Sequence, residues 1–350
     1  MNLTLQLPGL RIVDQALTEF HLLENQVSGV SLSHLLRVVL WPVPAGIALL
    51  ATAESTPTGA ISENREVSDE VSVLFLHGVG GALDGWDTAL RHGLAGQAGS
   101  ARHADSQVDF IGENVDFADL VARTGKLRRH SALELHPLVH SELSNSDRAS
   151  YFREQQRLRE VIADCPELAA RPRIPMPIFL PSQMMIRFPW LELRQAGHYR
   201  LDDLLRSEII DRVVERIEAA RGKVVLLAHS LGSVVALDTI FARDVRVDLL
   251  VTVGSPMGEK GFWATRWQEA QKFPFDRVGS WLNVVNVRDL VPWRRGLSQR
   301  FPQAVDAFIE AGTGYNGPGS YHDAATYSGS TPVVRAVADL IARDVIGSRL

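Results

Sequence analysis

The alternation of apolar and polar positions changes character at Val71. From there to the carboxyl end, short apolar runs alternate with amphipathic stretches, as expected for a mostly parallel sheet covered by helices on both faces. Val71 to Leu76 (VSVLFL) predicts a buried strand, and Trp86 to Leu94 predicts a helix after a glycine-rich turn. Gln107 to Ile111 predicts the next strand, with Val115 to Val121 running on towards another connection. Lys223 to Ala228 (KVVLLA), Asp248 to Val253 and Trp281 to Val287 predict three more. Leu205, Ile209, Val213 and Ile217 recur every four residues opposite Asp211, Arg212, Glu215 and Arg216. That spacing predicts a long amphipathic helix stopped at Gly222. Val234, Val235, Leu237 and Phe241 mark a helix behind the Lys223 strand, and Pro332 to Val345 predicts a closing amphipathic helix. The fold class is α/β.

Two stretches break this rhythm. Between residues 124 and 200 the pattern reads as an insertion into the 71–350 body. Ser144-Asn145-Ser146-Asp147 offers a capping box there, and Tyr151, Leu158, Val161 and Ile162 share one helical face. Prolines at 166, 172, 175, 177, 181 and 189 then exclude a helix or a central strand. Two readings stand for this segment. It is a cap or lid with Met184, Met185, Ile186, Phe188 and Trp190 as apolar wall, or a long connection packed onto the body. The other stretch is the amino-terminal extension, residues 1–70. Its run Val38 to Ala53 is shorter than a membrane span and carries Pro42 and Pro44, so no stable span is expected. A strand pair bent at Pro42 to Gly46 is the expectation, with a cytoplasmic protein. If translation starts later, Arg37 and Ala51-Thr52-Ala53 fit a signal segment and a secreted protein.

Charge and composition narrow the function. The 350 residues carry 36 basic and 41 acidic side chains, for a formal net charge of -5 and no basic block, so no nucleic-acid partner is expected. Cys165 is the single cysteine, which excludes an internal disulfide and a cysteine zinc cluster. No His-x-His or His-Glu-x-x-His occurs, and His130, His136 and His140 lack a matching carboxylate pattern; no metal is expected. Gly78-Val79-Gly80-Gly81 is followed by no Gly-Lys-Ser/Thr and does not make Gly-x-Gly-x-x-Gly, so no nucleotide cofactor is expected either.

Ala228-His229-Ser230-Leu231-Gly232 carries the strongest chemical signal. A serine hydroxyl is a weak nucleophile that needs exposure, a base, and amide donors for the oxyanion formed on attack. A tight turn from strand to helix lifts the hydroxyl off the sheet and puts the following amide, that of Leu231, at a helix amino terminus. Small residues two positions to either side, here Ala228 and Gly232, let strand and helix cross at close range.

With this elbow the chain resembles the alpha/beta-hydrolase superfamily, in particular its lipase and esterase branches, whose elbow often reads Ala-His-Ser-x-Gly. The resemblance spans Val71 to the carboxyl terminus without the insertion. Ala228 stands where the general motif has glycine, a feature several lipase groups share. The resemblance implies an alpha/beta-hydrolase fold with an inserted cap or lid, and the order nucleophile, acid, base along the chain. His322, in Ser320-Tyr321-His322-Asp323-Ala324, is the only histidine after Ser230 and is then the base. Asp289, in Asn286-Val287-Arg288-Asp289-Leu290-Val291-Pro292, resembles the Asp-x-Val-Pro loop that carries the acid; Glu259 and Asp323 are the alternatives. His77-Gly78-Val79-Gly80-Gly81 resembles the His-Gly-x-Gly loop, so the Val79 amide would join that of Leu231 in an oxyanion hole, with His77 as a structural tie. The activity implied is hydrolysis of a small-molecule or lipid carboxylic ester through an acyl-enzyme, without a cofactor. Acyl transfer and cleavage of thioesters or amides use the same groups. A binding protein on an inactive hydrolase scaffold is the reading from another class.

Overall fold

The structure, a computed structural model, describes residues 70–78, 84–100, 110–122, 145–165, 199, 202–258, 273–292, 296–314 and 318–347. The expectations for the amino-terminal run 38–53, for the proline-rich wall at 166–190 and for His130, His136 and His140 fall outside these residues.

Six strands form one parallel sheet: β1 (Val71–Leu76), β2 (Ile111–Val115), β3 (Lys223–His229), β4 (Val247–Val253), β5 (Val278–Asn286) and β6 (Val305–Ile309). Their spatial order is β2-β1-β3-β4-β5-β6. Among the described residues seven α-helices accompany them: α1 (Trp86–Ser100), α2 (Ala118–Ala122), α3 (Asn145–Ile162), α4 (Asp203–Ala219), α5 (Leu231–Ala242), α6 (Ala324–Ser328) and α7 (Thr331–Gly347). The central strands β1, β3, β4 and β5 are buried on both pleat faces because helices cover both. Leu74, Leu76, Val224, Leu226 and Ala228 point into one core with Leu205, Ile209, Val213 and Ile217 of α4 and the apolar residues of α5. Val73, Phe75, Val225, Leu227 and Val251, one position out of step, point into the other with Trp86, Leu90 and Leu94 of α1 and Val333, Val334 and Val337 of α7. Each such fully buried aliphatic side chain stabilises by roughly 1.5–3 kcal/mol relative to exposure, so this three-layer arrangement is set by packing rather than by capping.

Three elements depart from the sequence expectations. β2 occupies Ile111–Val115, and its neighbour Phe110 ends the approach by tucking beneath Trp86. Its register on β1 runs from Ser72↔Ile111 to Leu76↔Val115, so hydrogen bonding across the sheet, not apolar content, selects the polar IGENV segment. The expected run from Val115 to Val121 is instead a strand end followed by the short helix α2. Val305–Ile309 is a strand with no counterpart among the expected ones; its Asp306 is turned aside to accept from Leu297 N (2.7 Å), Ser298 N (2.9 Å) and Asn283 Nδ2 (2.8 Å).

The helix of the 124–200 segment packs on the body. β6 begins opposite Leu282, which leaves the Trp281 peptide, in register with Leu250 of β4 on one side, without a partner from β6 on the other. Gln155 of α3, completely buried, supplies it: Trp281 N donates to Gln155 Oε1 (2.9 Å) and Gln155 Nε2 donates to Trp281 O (3.0 Å). Tyr151 Oη donates to Gln303 O (2.9 Å), and Leu158 and Ile162 complete the buried face of α3. At the other end of the chain, α7 runs from Thr331 to Gly347, and no helix among the described residues is long and apolar enough to cross a membrane.

Candidate active site

The strand order fixes where a site belongs. From β1 the chain moves to β2 on one side, then returns to place β3 on the other, so the connections leaving the carboxyl ends of these paired strands run to opposite sides, the switch point at which open α/β sheets place their ligand sites. His77 and Gly78 leave the end of β1 there, and Ser230 leaves the end of β3.

Ser230 is the only non-glycine with positive φ among the described residues (φ 53°, ψ −122°). L-residues avoid this region, so surrounding contacts must hold it. Ser230 N donates to Val253 O (3.0 Å) at the end of β4, and Ser233 N donates to Ser230 O (3.0 Å) as α5 begins. Ser233 Oγ donates to the same carbonyl (2.5 Å) and lies 2.8 Å from Ser255 Oγ. The close crossing predicted for Gly232 is real: a Cβ there would lie 2.3 Å from Leu76 O and 2.7 Å from His77 O. Gly78 is equally confined, since a Cβ there would lie 2.7 Å from Ser230 Cβ and 3.3 Å from its Oγ. Leu231 is the first residue of α5, where amides have no intrahelical acceptor. Val79 lies outside the described residues, as does Glu259.

His322 and Asp289 meet. His322 Nδ1 is 2.6 Å from Asp289 Oδ2, with the carboxylate buried and the imidazole about one-fifth exposed. An Nδ1–H donating to the carboxylate leaves Nε2 with a free lone pair. The other carboxylate oxygen, Oδ1, accepts from Val291 N (2.9 Å), and Asp289 N donates to Asn286 O (3.0 Å). Arg288, next to Asp289, pairs instead with Glu310. Asp323 turns away from the imidazole, its Oδ2 accepting from Gly319 N (2.7 Å).

His322 reaches the neighbourhood of Ser230 through two contacts. Its ring centroid is 4.6 Å from that of His229, the residue before Ser230. A Cβ at Gly254, which follows Val253 at the end of β4, would lie 3.1 Å from the His322 ring and 3.2 Å from Asp289 Oδ2. No hydrogen bond joins Ser230 Oγ to His322; such contacts commonly close only when substrate is bound.

Sequence reasoning passed over three side chains here. Tyr327, completely buried, donates to Asp289 Oδ2 at 2.6 Å and accepts from Asn286 N at 3.1 Å. Burial, then the neighbouring carboxylate, push its pKa well above 10 and keep it a neutral donor. Asn286 Nδ2 donates to Ala311 O (2.7 Å) and Tyr321 O (3.0 Å), tying the loop that bears Asp289 to the one that bears His322. His229 is buried with neither ring nitrogen in good hydrogen-bond geometry, although the His322 main chain faces it. Burial drives its pKa well below the ordinary 6.5, so the ring is uncharged. His77 is tied down as its position suggested. Nδ1 lies 2.6 Å from Gly78 O, Nε2 accepts from Phe117 N (3.2 Å) and approaches Asp116 Oδ1 (3.1 Å), and the ring stacks on Phe117. Burial lowers its pKa despite the Gly78 carbonyl and Asp116.

Cys165 is buried and in no disulfide, and among the described residues no group of three or more His, Cys, Asp or Glu side chains converges as a metal site. Compared with known proteins, the chain matches no family model, no curated protein and no solved structure.

Proposed function

We propose that the protein is a serine hydrolase of alpha/beta-hydrolase type that cleaves carboxylic esters. The observation carrying this reading is the 2.6 Å contact between His322 Nδ1 and Asp289 Oδ2, made at the same rim of the sheet as the strained turn bearing Ser230. A carboxylate on Nδ1 selects the tautomer whose Nε2 accepts a proton, and it stabilises the imidazolium formed when it does.

In this mechanism Ser230 Oγ attacks the acyl carbon while His322 Nε2 takes its proton. The tetrahedral oxyanion is held by the Leu231 amide at the start of α5 and by the Val79 amide. His322 returns the proton to the departing alcohol, leaving an acyl group on Ser230. Water, deprotonated by the same nitrogen, then releases the acid and regenerates the serine. Each step uses groups of this chain and water alone.

The test is turnover of p-nitrophenyl butyrate by the full chain and by Ser230→Ala. The variant is expected to lose about 10⁴-fold or more in kcat at unchanged thermal stability, because the acyl-enzyme has no attachment point. Comparable turnover by the variant would refute the nucleophile and with it this function.

A further inference from the structure

Asp289 Oδ2 serves two donors. His322 Nδ1 and Tyr327 Oη each lie 2.6 Å from that single oxygen, while Oδ1 is occupied by Val291 N. The phenol is in turn oriented by Asn286 N, which fixes its lone pair and points its proton at the carboxylate. Tyr327 also lies one helical turn beyond the base: its amide donates to Asp323 O (3.3 Å), the residue after His322. The acid loop and the base loop are therefore joined twice through one oxygen atom.

We propose that Tyr327 is a positioning residue of the acid–base pair, a buried phenol that orients the Asp289 carboxylate towards His322 and shares its negative charge. The proposal rests on the hydrolase reading above. A charge-assisted hydrogen bond from a neutral phenol is stronger than an ordinary one and draws electron density from the acceptor. With Oδ2 shared, the carboxylate holds the imidazolium less tightly than an unshared carboxylate would, and it cannot swing away from Nδ1 without breaking the phenol bond as well. Among the described residues, the titratable side chains set against the pair are Tyr327 itself and His229, and both are uncharged when buried as they are here.

Tyr327→Phe removes the donor and keeps the ring. Its expected signature is a kcat about tenfold lower with KM within about twofold, since an interaction that acts on the transition state is lost. The acidic limb of the pH–rate profile should move up by about half a unit to one unit, because the unshared carboxylate retains the imidazolium to higher pH. In proton NMR of the full chain, the downfield Nδ1–H resonance of His322 should move further downfield. Replacing Tyr327 by 3-fluorotyrosine, a stronger donor of nearly the same size, should move both the limb and the resonance in the opposite direction with the fold intact. A Tyr327→Phe protein that loses thermal stability but keeps the parent's kcat, pH profile and Nδ1–H resonance would overturn the proposal. Absence of any ester turnover in the parent protein would defeat the hydrolase reading alone; the NMR measurements on both variants would still decide the role of Tyr327.

Discussion

The two halves of the candidate site are held by different physics. On the β1–β3 side, Ser230 is fixed by close steric approach: the Gly232 backbone against Leu76 O, the Gly78 backbone against Ser230 Cβ, and a positive φ that surrounding contacts enforce. On the β5 side, Asp289 and His322 are fixed by a web of polar side chains, with Tyr327 and Asn286 as its knots. A steric seat tolerates no added atom. A polar web tolerates shape changes but not the loss of a donor, because a buried group left unpaired costs its full desolvation. The two sides should therefore fail differently: the first in folding, the second in chemistry.

The largest expected effect on stability is on the steric side. Gly232→Ala puts a methyl group 2.3 Å from a main-chain oxygen, where no flexible neighbour can yield, so strand and helix must separate. A loss on the order of 3 kcal/mol or more is expected, read as a lowered urea midpoint or as failure to accumulate folded protein. A variant as stable as the parent would show that the crossing is looser than described. Asp289→Asn is the counterpart on the polar side. It keeps shape but offers Nδ1 the wrong group, and kcat should fall about 10⁴-fold while the unfolding midpoint moves far less than for Gly232→Ala. Equal damage to stability in both would erase the contrast between the halves.

Smaller effects sharpen it. Asn286→Ala removes two donors, to Ala311 O and Tyr321 O, and the acceptor for Arg288 N. About 1–3 kcal/mol of stability should go, together with a broadened His322 Nδ1–H resonance as the base loop loosens; a sharp, unmoved resonance would mean that the web does not reach His322. The smallest effect is one of pH. His229 and His77 have folded pKa values below the ordinary 6.5, both chiefly through burial, so the unfolded chain binds more protons than the folded one once pH falls below that value. Stability is then fully present above pH 6.5 and declines below it, by up to about 1.4 kcal/mol per pH unit for each such group. Urea midpoints at pH 8, 6.5 and 5.5 measure the slope. His229→Phe should flatten it, and an unchanged slope would assign the acid sensitivity elsewhere.

The same contrast explains what the sequence made legible. The β1–β3 side was readable because steric demands are local in the chain: VVLL, then a small residue, serine and glycine at fixed spacing describe the seat almost completely. The Asp289–His322 contact needed the order of residues along the chain as well, since 33 positions separate the partners. Tyr327 and Gln155 went unnoticed because their value lies wholly in partners distant in sequence: Gln155 serves a peptide 126 positions away, on a helix face otherwise marked by apolar residues. A tyrosine five residues after the candidate base was the available signal for the first, and a glutamine in line with Tyr151 and Leu158 for the second. β2 and β6 were misread or missed for a related reason. Their polar residues are set in place by pairing with a neighbouring strand, and pairing leaves no periodic trace in a short segment.

The proposed chemistry stands on Ser230 being a nucleophile activated by His322. Treating the full chain with a fluorophosphonate and mapping the adduct by peptide mass tests it most directly. A single adduct on Ser230, formed rapidly in the parent and slowed by at least about a hundredfold in His322→Ala, is predicted. Modification at another residue, no modification, or equal labelling of the two proteins would contradict it.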